Sequence, residues 1–541
     1  MHRMTEVALH RPALLLLLAF AHPGYSSAQQ GAAQIDPRSA RVVPRDYVVS
    51  ATGNDSQPGT AAEPWRTLAK VNATSLQPGD RVLLEGGRTF SGPLELLSDD
   101  RGTPARNVVV TSYGFGRAVI DGGNGRAVTV DGCDHVLLQR LKLVGAGRKT
   151  GNVTDGLYLA HSTGSTVDDV EVTGFRHAGV EIVGTREARF TNVHAHQNGF
   201  SGIHSGGDVS KNLYVGYCRT ENNPGDPSIR DNHSGSGIIV GHAEVALVEY
   251  CESTYNGWDQ PWTGNGPVGI WTHDADRVTI QYCVSHHNRS TALDGGGFDF
   301  DGGVTNSVLQ YNYSHDNFGS GYLICQYEGA PRFAGNVVRY NVSQDDGLFG
   351  HNAGIFVWVG DAGMESTLVH NNTIWSTKGS AVAYGISEKL TGPLPDIPFY
   401  NNIFVSQGPQ IFREGQGRGK VGRFLGNLYW SVGERGFRVD GFKSLPEWAA
   451  ATGQETVDGR LVGLFADPAL PRTGPAMLTS PADLFRLVEY QIREGSPAVG
   501  AGLDLRKLFG IDPGPVDFYG NPLPPAGPLS IGAHEPRATA R

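Results

Sequence analysis

Short apolar segments that each follow a glycine recur through the middle of the chain. In each segment the second and fourth residues are mostly apolar, whereas the third and fifth residues vary and are often polar. Because alternate residues of a strand point to opposite faces, each segment predicts a short strand with one face toward a core. The segments begin at Gly156, Gly179, Gly202, Gly237, Gly269, Gly297, Gly321 and Gly354.

A second apolar strand follows each segment and ends in a polar turn, as in residues 278–288 and 308–317. The two-strand unit repeats at roughly 22–35 residues, without a helical pattern between the strands. A propeller blade repeats at about 40 residues or more. The shorter period therefore favours a β-solenoid, an all-β fold in which successive coils stack on one another.

The N-terminal side of the repeat has a different pattern. Residues 47–55 predict a strand and a turn, residues 64–71 predict a short amphipathic helix, and residues 81–85 predict another strand. A helix beside the first strands would cover the end of the stack, as repeat arrays require.

The repeat fades again near residue 410. Residues 444–450 predict a short capped helix, and residues 495–535 predict strand-and-turn structure that closes the far end of the stack or runs back along it. We divide the chain into a signal peptide (residues 1–28), an N-terminal cap with the first coils (46–106), the β-helix repeats (107–410), and C-terminal coils with a closing extension (411–541).

The signal peptide is predicted from an apolar run at residues 13–21, which is flanked by arginines and followed by small residues. This run has the length of a signal core and is too short to span a bilayer. No other stretch of the sequence is long and apolar enough to span a membrane. We therefore expect a secreted protein, extracellular or periplasmic, and its covered ends predict a monomer.

Composition narrows the choice of partners. The 541 residues carry a formal net charge of −10, only 18% of them are charged, and 74 are glycine. Lys and Arg do not cluster in the way that nucleic-acid binding rewards. We therefore expect no nucleic-acid partner, and frequent glycine with low charge fits many short strands and tight turns.

One position in the turn after the second strand forms a column of small or polar residues on successive coils. Stacked asparagines at an inward turn can hydrogen-bond from coil to coil, and cysteine is a small, readily buried residue that suits the same position. Free thiols and a disulfide between neighbouring coils both remain open, and the cysteine spacing does not resemble a zinc site. The column contains Cys218, Cys251, Cys283, Asn312, Asn341 and Asn371 or Asn372.

The third and fifth residues of the glycine-led strands would form two columns on the outer face. Polar and aromatic residues concentrate on the two middle coils, where His273 and Asp301 would stand about 5 Å apart on neighbouring strands. Gly206 and Gly241 would leave room for a bound chain. The third column contains Tyr158, Glu181, His204, Ile239, Trp271, Asp299, Leu323 and Phe356, and the fifth contains Ala160, Val183, Gly206, Gly241, His273, Asp301, Cys325 and Trp358.

These features together resemble the secreted right-handed parallel β-helix proteins of the pectate lyase-like superfamily, which includes pectate lyases, alginate lyases, mannuronan epimerases and polygalacturonases. Besides the glycine-led repeats and the turn column, the resemblance rests on residues 47–55, 64–68, 77–80, 496–498 and 532–535. It implies a single-stranded right-handed parallel β-helix whose glycine-led strands line a substrate groove.

Three reactions fit the residues of the two middle coils. In β-elimination of a uronate, His273 is the candidate base, and the carboxylate would be neutralised by Arg332 or by Ca²⁺ held on Asp294, Asp299 and Asp301. In hydrolysis, Asp299 and Asp301 would act as acid and base. Epimerisation would use the same residue types. Some lyases of the superfamily use a lysine base, and no lysine lies on these coils, which favours histidine.

We predict an exported carbohydrate-active protein, foremost a polysaccharide lyase that cleaves an acidic uronate polysaccharide by β-elimination. The alternatives are an inverting glycoside hydrolase or a uronate epimerase on the same fold, and a non-catalytic glycan-binding β-helix. The predicted catalytic residues are His273, Asp299 and Asp301, the predicted substrate-binding residues are Trp271, His204, Glu181, Tyr158, Trp358 and Arg332, and the predicted Ca²⁺ ligands are Asp299, Asp301 and Asp294.

Overall fold

The structure is a computed structural model that describes residues 43–349, 353–391, 394–407, 411–414, 422–433, 436–471 and 476–537. The predicted signal peptide, residues 1–28, lies outside the described residues. None of the helices within the described ranges has the length and apolar character needed to cross a membrane.

One parallel sheet of 12 described strands carries the predicted glycine-led segments, with each strand paired to its equivalent on the next coil. We call it the groove sheet. All eight predicted glycine-led strands are confirmed as β3 to β10 of this sheet. Strands β1 to β12 are, in order, Leu94–Leu96, Val128–Asp131, Leu157–Ala160, Ala178–Val183, Ser201–Ser205, Ser236–Gly241, Val268–His273, Gly296–Phe300, Tyr322–Gln326, Ala353–Val359, Ser380–Ile386 and Phe412–Glu414.

A second parallel sheet of 26 described strands forms the remaining walls of the coils. Together the two sheets make a single-stranded right-handed parallel β-helix, as predicted. The strands of this sheet are Asp46–Val49, Arg81–Glu85, Thr89–Ser91, Val108–Tyr113, Ala118–Gly123, Val136–Gly145, Thr166–Thr173, Arg189–Thr191, His194–His196, Ser210–Gly216, Arg219–Glu221, Ala243–Glu249, Glu252–Thr254, Asp276–Gln281, Val284–His286, Val308–Gln310, Tyr313–His315, Val337–Arg339, Val342–Gln344, Leu368–His370, Thr373–Ser376, Pro398–Tyr400, Ile403–Ser406, Arg423–Leu425, Leu428–Ser431 and Leu464–Phe465.

Both predicted helices are present. Helix α1 (Leu68–Asn72) begins after Thr67, whose side chain accepts a hydrogen bond from the Lys70 amide. Helix α2 (Leu445–Thr452) begins after Ser444 and ends at Gly453, which adopts the left-handed conformation. These are ordinary helix-capping residues, so the helix boundaries follow from local sequence.

The C-terminal extension has the turns predicted for residues 495–535, but its described part has no strand in that range, so the strand part of the prediction is wrong. Its described part contains turns, the 3₁₀ helices Pro481–Arg486 and Val488–Tyr490, and helix α3 (Leu505–Phe509). It runs back along the coils, as shown by the hydrogen bond that the Tyr311 hydroxyl donates to the Val516 carbonyl at 3.1 Å. Packing against the stack replaces sheet pairing as the source of order in this segment. A short antiparallel hairpin, Thr456–Val457 with Arg460–Leu461, precedes it.

A column of serines faces four of the glycines that begin the groove-sheet segments, namely Gly237, Gly269, Gly297 and Gly321. A Cβ on Gly269 would lie 2.0 Å from Ser285 Oγ, and one on Gly297 would lie 2.2 Å from Ser314 Oγ. The Ser253 and Ser285 hydroxyls donate to the carbonyls of Gly269 and Gly297 at 2.9 and 2.8 Å. Serine therefore fills the space that a side chain would need, which explains the glycine on these four coils.

The predicted asparagine ladder is confirmed. Asn312 accepts a hydrogen bond from the Cys283 amide at 3.0 Å and donates to Asn341 Oδ1 at 3.1 Å and to the Ile280 carbonyl at 2.9 Å. All five cysteines lie within the described ranges and are free thiols, so the disulfide alternative is wrong. The ladder continues through Asn372, Asn402 and Asn427 to Glu455.

A second ladder, at another turn of each coil, was not predicted. Its members are buried and hydrogen-bond from coil to coil in the same way, and it ends on a carboxyl group that accepts from the Asn317 side chain at 2.8 Å. The ladder contains Asn198, Asn223, Asn256, Asn288, Asn317 and Asp346.

The acidic end of this second ladder should make the stability of the protein depend on pH. Burial raises the pKa of Asp346 to about 7 from an ordinary value of 3.8. The folded protein therefore holds the Asp346 proton more tightly than the unfolded chain does. The stability that this provides is complete below about pH 4 and is lost as pH rises toward 7, by about 1.4 kcal/mol per pH unit. We therefore expect Asp346→Asn to match the parent near pH 4 and to become progressively more stable than the parent by pH 7.

The free energy of unfolding of both proteins, measured at about pH 4, 5.5, 7 and 8, tests this prediction. The exposed Asp99→Asn is the control, and its stability difference from the parent should stay constant across the series. A constant difference for Asp346→Asn as well would contradict the prediction.

Candidate active site

The outer face of the groove sheet holds the two predicted columns in register. Trp271 on β7 pairs with Asp299 on β8, and Asp299 pairs with Leu323 on β9. The Asp301 amide donates to the Thr272 carbonyl at 2.9 Å, which continues this pairing beyond the end of β8. The sequence alternation therefore places Trp271, Asp299 and Asp301 on one face, as expected for strands.

A cleft of about 620 Å³ lies over β7 to β10. The loops that precede β6, β7 and β8 contribute lining residues, among them His233, Asn265 and Asp294. Four aspartates line the cleft, and none of its described lining residues is Arg or Lys. The cleft is therefore acidic, with aromatic side chains at Trp271 and Trp358.

Asp299 is the most unusual group in the cleft. Its side chain is 3% exposed, and its Oδ1 atom has no hydrogen-bond partner. Burial, reinforced by the nearby charges of Asp301 and Asp294, raises the pKa of Asp299 well above its ordinary value. Asp299 therefore keeps its proton to higher pH than a free aspartate does, as a general acid requires.

Asp301 is less buried and better hydrogen-bonded than Asp299. The Gly302 amide donates to Asp301 Oδ1 at 2.8 Å. Burial raises the pKa of Asp301, while hydrogen bonds from Cys325 and Gly302 and the charge of His273 act in the opposite direction. The pKa of Asp301 remains above its ordinary value, but its hydrogen-bond donors favour the ionised form, whereas Asp299 Oδ1 has no donor. The environment therefore separates the roles of the two carboxyl groups.

Asp294 joins two of the loops beside the cleft. Its Oδ2 atom accepts a hydrogen bond from the Gly266 amide at 2.7 Å. Burial raises the pKa of Asp294 to about 6. Asp294 therefore adds a third carboxyl group to the cleft and holds the wall at Gly266 in place.

His273 lies at the edge of the cleft and is oriented by its sequence neighbour. Its Nδ1 atom lies 2.9 Å from Asp274 Oδ2, and this bond lowers the pKa of Asp274. The expectation that Gly241 and Gly206 leave room for a bound chain is wrong. A Cβ on Gly241 would lie 2.3 Å from His273 Nε2, and one on Gly206 would lie 2.5 Å from His204 Cε1, so histidine rings fill both spaces.

Trp271 is more deeply buried than the sequence predicts for an outward position, with 4% of its surface exposed. Its indole nitrogen donates to Ser236 Oγ at 3.1 Å, and the His233 ring packs edge-on at 5.1 Å. The loops that form the cleft cover Trp271, so it serves as part of the floor. Trp358, on β10, is half-buried and lines the far side.

His233 was not identified from the sequence. Its Nδ1 atom has no hydrogen-bond partner, and burial lowers its pKa to about 3, so the ring is neutral. The sequence signal for His233 is the spacing of the glycine-led segments. Gly202, Gly237 and Gly269 are farther apart than Gly156 and Gly179 are, which indicates loops inserted on one side of these coils.

Three predicted substrate-binding residues lie on the same sheet face but do not line the cleft. The ring of Tyr158, on β3, is covered by the Arg126 guanidinium at 3.9 Å. Glu181, on β4, is buried and bonded at 2.8 Å to Nδ1 of His204 on β5. These side chains satisfy one another and extend the polar face toward the N-terminal coils.

The structure places Arg332 outside the cleft, contrary to the sequence expectation. It follows β9 in a turn, and its guanidinium forms an exposed ion pair with Glu365 at 2.7 Å. An exposed pair of this kind contributes little to stability. Arg332 is therefore not positioned to neutralise a substrate carboxylate.

The predicted Ca²⁺ site does not have converging ligands. Among the described residues, three groups have ligand atoms within 4.8 Å of one another, and Asp294, Asp299 and Asp301 do not form one of them. These carboxyl groups supply the oxygen donors that Ca²⁺ prefers, and the side chains would have to move together to hold the ion. The three converging groups are Asp155–His177–Glu181, His242–His273–Asp274 and His286–His287–His315.

The two parallel sheets define a right-handed parallel β-helix protein, and its outer face carries an acidic, aromatic cleft. The chain belongs to the family described as Pel9A-like, right handed beta helix region, whose sequence model matches residues 47–344. This range contains β7, β8 and all four aspartates that line the cleft.

Individual relatives are more distant. A lacto-N-biosidase from Bifidobacterium longum is 35% identical over 133 residues, which cover 24% of this chain and only 8% of that protein. The solved structure of a GH136 lacto-N-biosidase from Eubacterium ramulus is 19% identical and covers 64% of this chain and 66% of its own, with a TM-score of 0.47. Pectate lyase Pel9A is 13% identical and covers 91% and 96%, with a TM-score of 0.44.

Proposed function

We propose that this protein is a glycoside hydrolase whose acid and base are Asp299 and Asp301. The observation that supports this proposal is the buried, unpartnered Oδ1 of Asp299 in a cleft that also holds the better-hydrogen-bonded Asp301. Glycosidic bond hydrolysis needs one protonated and one ionised carboxyl group on either side of the scissile bond. The two environments favour that division.

In the proposed reaction, Asp299 donates its proton to the glycosidic oxygen as the bond to the sugar breaks. As that bond breaks, the ionised Asp301 either takes a proton from the water that attacks the sugar carbon, with inversion, or attacks that carbon itself, with retention. In the second case a water molecule, which gives its proton to the now ionised Asp299, hydrolyses the bond between the sugar and Asp301. Positive charge that develops on the sugar ring would be stabilised by the carboxylates of the cleft.

The charge of the cleft favours a neutral glycan as substrate. Four aspartates line it, and the described lining contains no Arg or Lys that could pair with a uronate carboxylate. Aromatic side chains such as Trp358 and Tyr327 offer apolar surface to sugar rings. The sequence similarity to a protein named lacto-N-biosidase agrees with a hydrolase.

A uronate lyase is the second candidate, because the family is described as Pel9A-like and His273 is held by Asp274 beside the cleft. In that reaction His273 would remove the proton from the sugar. Ca²⁺ bound by Asp294, Asp299 and Asp301 would supply the positive charge that neutralises the uronate.

Product analysis separates these candidates. The protein would be incubated with a panel of neutral oligosaccharides and with pectate, alginate and glucuronan, in parallel with and without chelator. We expect new reducing ends from a neutral glycan, without an ultraviolet-absorbing double bond and without an effect of chelator.

Chelator-sensitive ultraviolet absorbance with a uronate would instead establish the lyase. The absence of any product from a broad panel, together with measurable glycan binding, would favour the non-catalytic alternative. If hydrolysis occurs, the anomeric configuration of the first product decides between inversion and retention.

A further inference from the structure

Three histidines from two neighbouring coils meet outside the candidate active site. His286 and His315 end strands of the 26-stranded sheet that pair with each other, and His287 follows His286 directly. The His286 and His315 rings stack at 4.7 Å with an interplanar angle of 3°. One ring nitrogen of each of the three histidines lies within 4.8 Å of the other two.

We propose that His286, His287 and His315 bind one divalent transition-metal ion of the Zn²⁺ type, which ties these coils to the C-terminal segment. Imidazole nitrogens are preferred ligands of Zn²⁺, and three of them with a further oxygen donor complete a tetrahedral site. Neither proposed reaction uses these residues.

The hydrogen bonds around the cluster already hold the nitrogens that point away from it. His286 Nε2 lies 3.2 Å from Glu252 Oε1, and His315 Nε2 lies 3.0 Å from the Leu478 carbonyl oxygen. Metal-binding histidines typically donate their second ring N–H to a carboxylate or a backbone carbonyl, which fixes the ring and its tautomer. The surroundings of His286 and His315 match that arrangement.

The Nδ1 atoms of His286 and His287 face each other, and Nδ1 of His315 faces the Asp316 carboxylate. His286 Nδ1 and His287 Nδ1 are 2.8 Å apart, and two nitrogens bound to one tetrahedral Zn²⁺ would be about 3.4 Å apart. A small opening of this pair would therefore admit the ion. Thr254 Oγ1 lies 3.1 Å from His286 Nδ1, and Asp316 Oδ2 lies 2.8 Å from His315 Nδ1, so an oxygen donor is at hand for the fourth position.

The protonation and accessibility of the cluster suit a metal ion. Burial, together with the neighbouring histidines, lowers the pKa of His287 to about 4, and burial lowers that of His286. These shifts favour the neutral form of His286 and His287, which is the form that binds a metal ion. His287 is half-buried beside the exposed ring of Tyr255, which leaves a route to solvent.

The position of the cluster gives the ion a structural role. His286 and His315 lie on adjacent coils, and the Leu478 carbonyl belongs to the segment that runs back along the stack. A metal bound by the folded state alone raises its stability by mass action. We expect saturating Zn²⁺ to raise Tm by about 2–5 °C.

Metal titration of the full-length chain, stripped with chelator and dialysed, tests the proposal. We expect the parent to bind one Zn²⁺ ion per chain. We expect His287→Gln to bind it at least about 10-fold more weakly, which is the loss of affinity typical of a damaged metal site. His161→Gln is the matched control, because this exposed histidine lies beside Asp131 and Asp208 and outside the cluster. It should bind Zn²⁺ as the parent does.

Three results would overturn the proposal. These are no binding at micromolar Zn²⁺, binding unchanged in His287→Gln, and binding abolished only by a change in one of the other two converging groups. If His287→Gln does not fold, Co²⁺ in the unchanged chain decides. Intense visible bands indicate a tetrahedral site, and their absence contradicts one.

Discussion

Replacing Asp299 with asparagine is expected to lower kcat for glycan hydrolysis by about 10³-fold, the range in which general acids contribute. The substitution keeps the size of the side chain but removes the proton that would reach the leaving oxygen. Asparagine cannot ionise, so the variant avoids the cost of a buried charge and should fold at least as stably as the parent. Initial rates on the substrate found by the panel, with unfolding measured alongside, check this expectation.

The pH profile gives a second measure of the same residue. The pKa of Asp299 is raised by burial and by Asp301 and Asp294, and activity needs its protonated form. Activity of the parent should therefore fall as pH rises through that pKa. In Asp299→Asn, the residual activity should lack this alkaline fall.

Asp346→Asn is the matched control for Asp299→Asn. Asp346 is also a buried aspartate with a raised pKa, but it ends the second asparagine ladder inside the coils. Its replacement should leave kcat unchanged. Equal loss of activity in both variants, or full activity in Asp299→Asn, would rule out Asp299 as the acid.

Replacing Asn312 with alanine is expected to destabilise the protein by about 3–5 kcal/mol, because several buried groups would lose partners at once. Its side chain bonds to the Cys283 amide, the Asn341 side chain and the Ile280 carbonyl. Alanine removes the acceptor of the Cys283 amide and one donor to the Ile280 carbonyl, whereas Asn341 Oδ1 keeps the hydrogen bond from the Asn312 backbone amide at 3.0 Å. Chemical unfolding at neutral pH gives the measurement.

Two further variants separate the hydrogen bonds from the volume of the side chain. Asn312→Cys introduces the residue that occupies this column on the preceding coils and should cost less than alanine. Cys283→Ala removes a thiol whose hydrogen bonds are weak and should also cost less. If all three variants lose equal stability, packing rather than hydrogen bonding explains the ladder.

The fold was largely predictable because its determinants are local and repeated. Alternation within each glycine-led segment identified β3 to β10, and the period between segments distinguished stacked coils from other all-β folds. An amphipathic pattern indicated α1, and a capped pattern indicated α2. The C-terminal extension was mispredicted because its order comes from contacts such as that between Tyr311 and Val516, which no local pattern records.

The sequence by itself determined that Trp271, His273, Asp299 and Asp301 share one face of adjacent coils, because strand alternation and coil spacing are sufficient to place them. Only the tertiary structure decided what those residues can do. Loops of irregular sequence wall the cleft, bury Asp299 and raise its pKa, whereas Arg332 pairs with Glu365 outside it. Burial and electrostatic environment depend on distant segments meeting in space, and periodicity along the chain carries no record of that meeting.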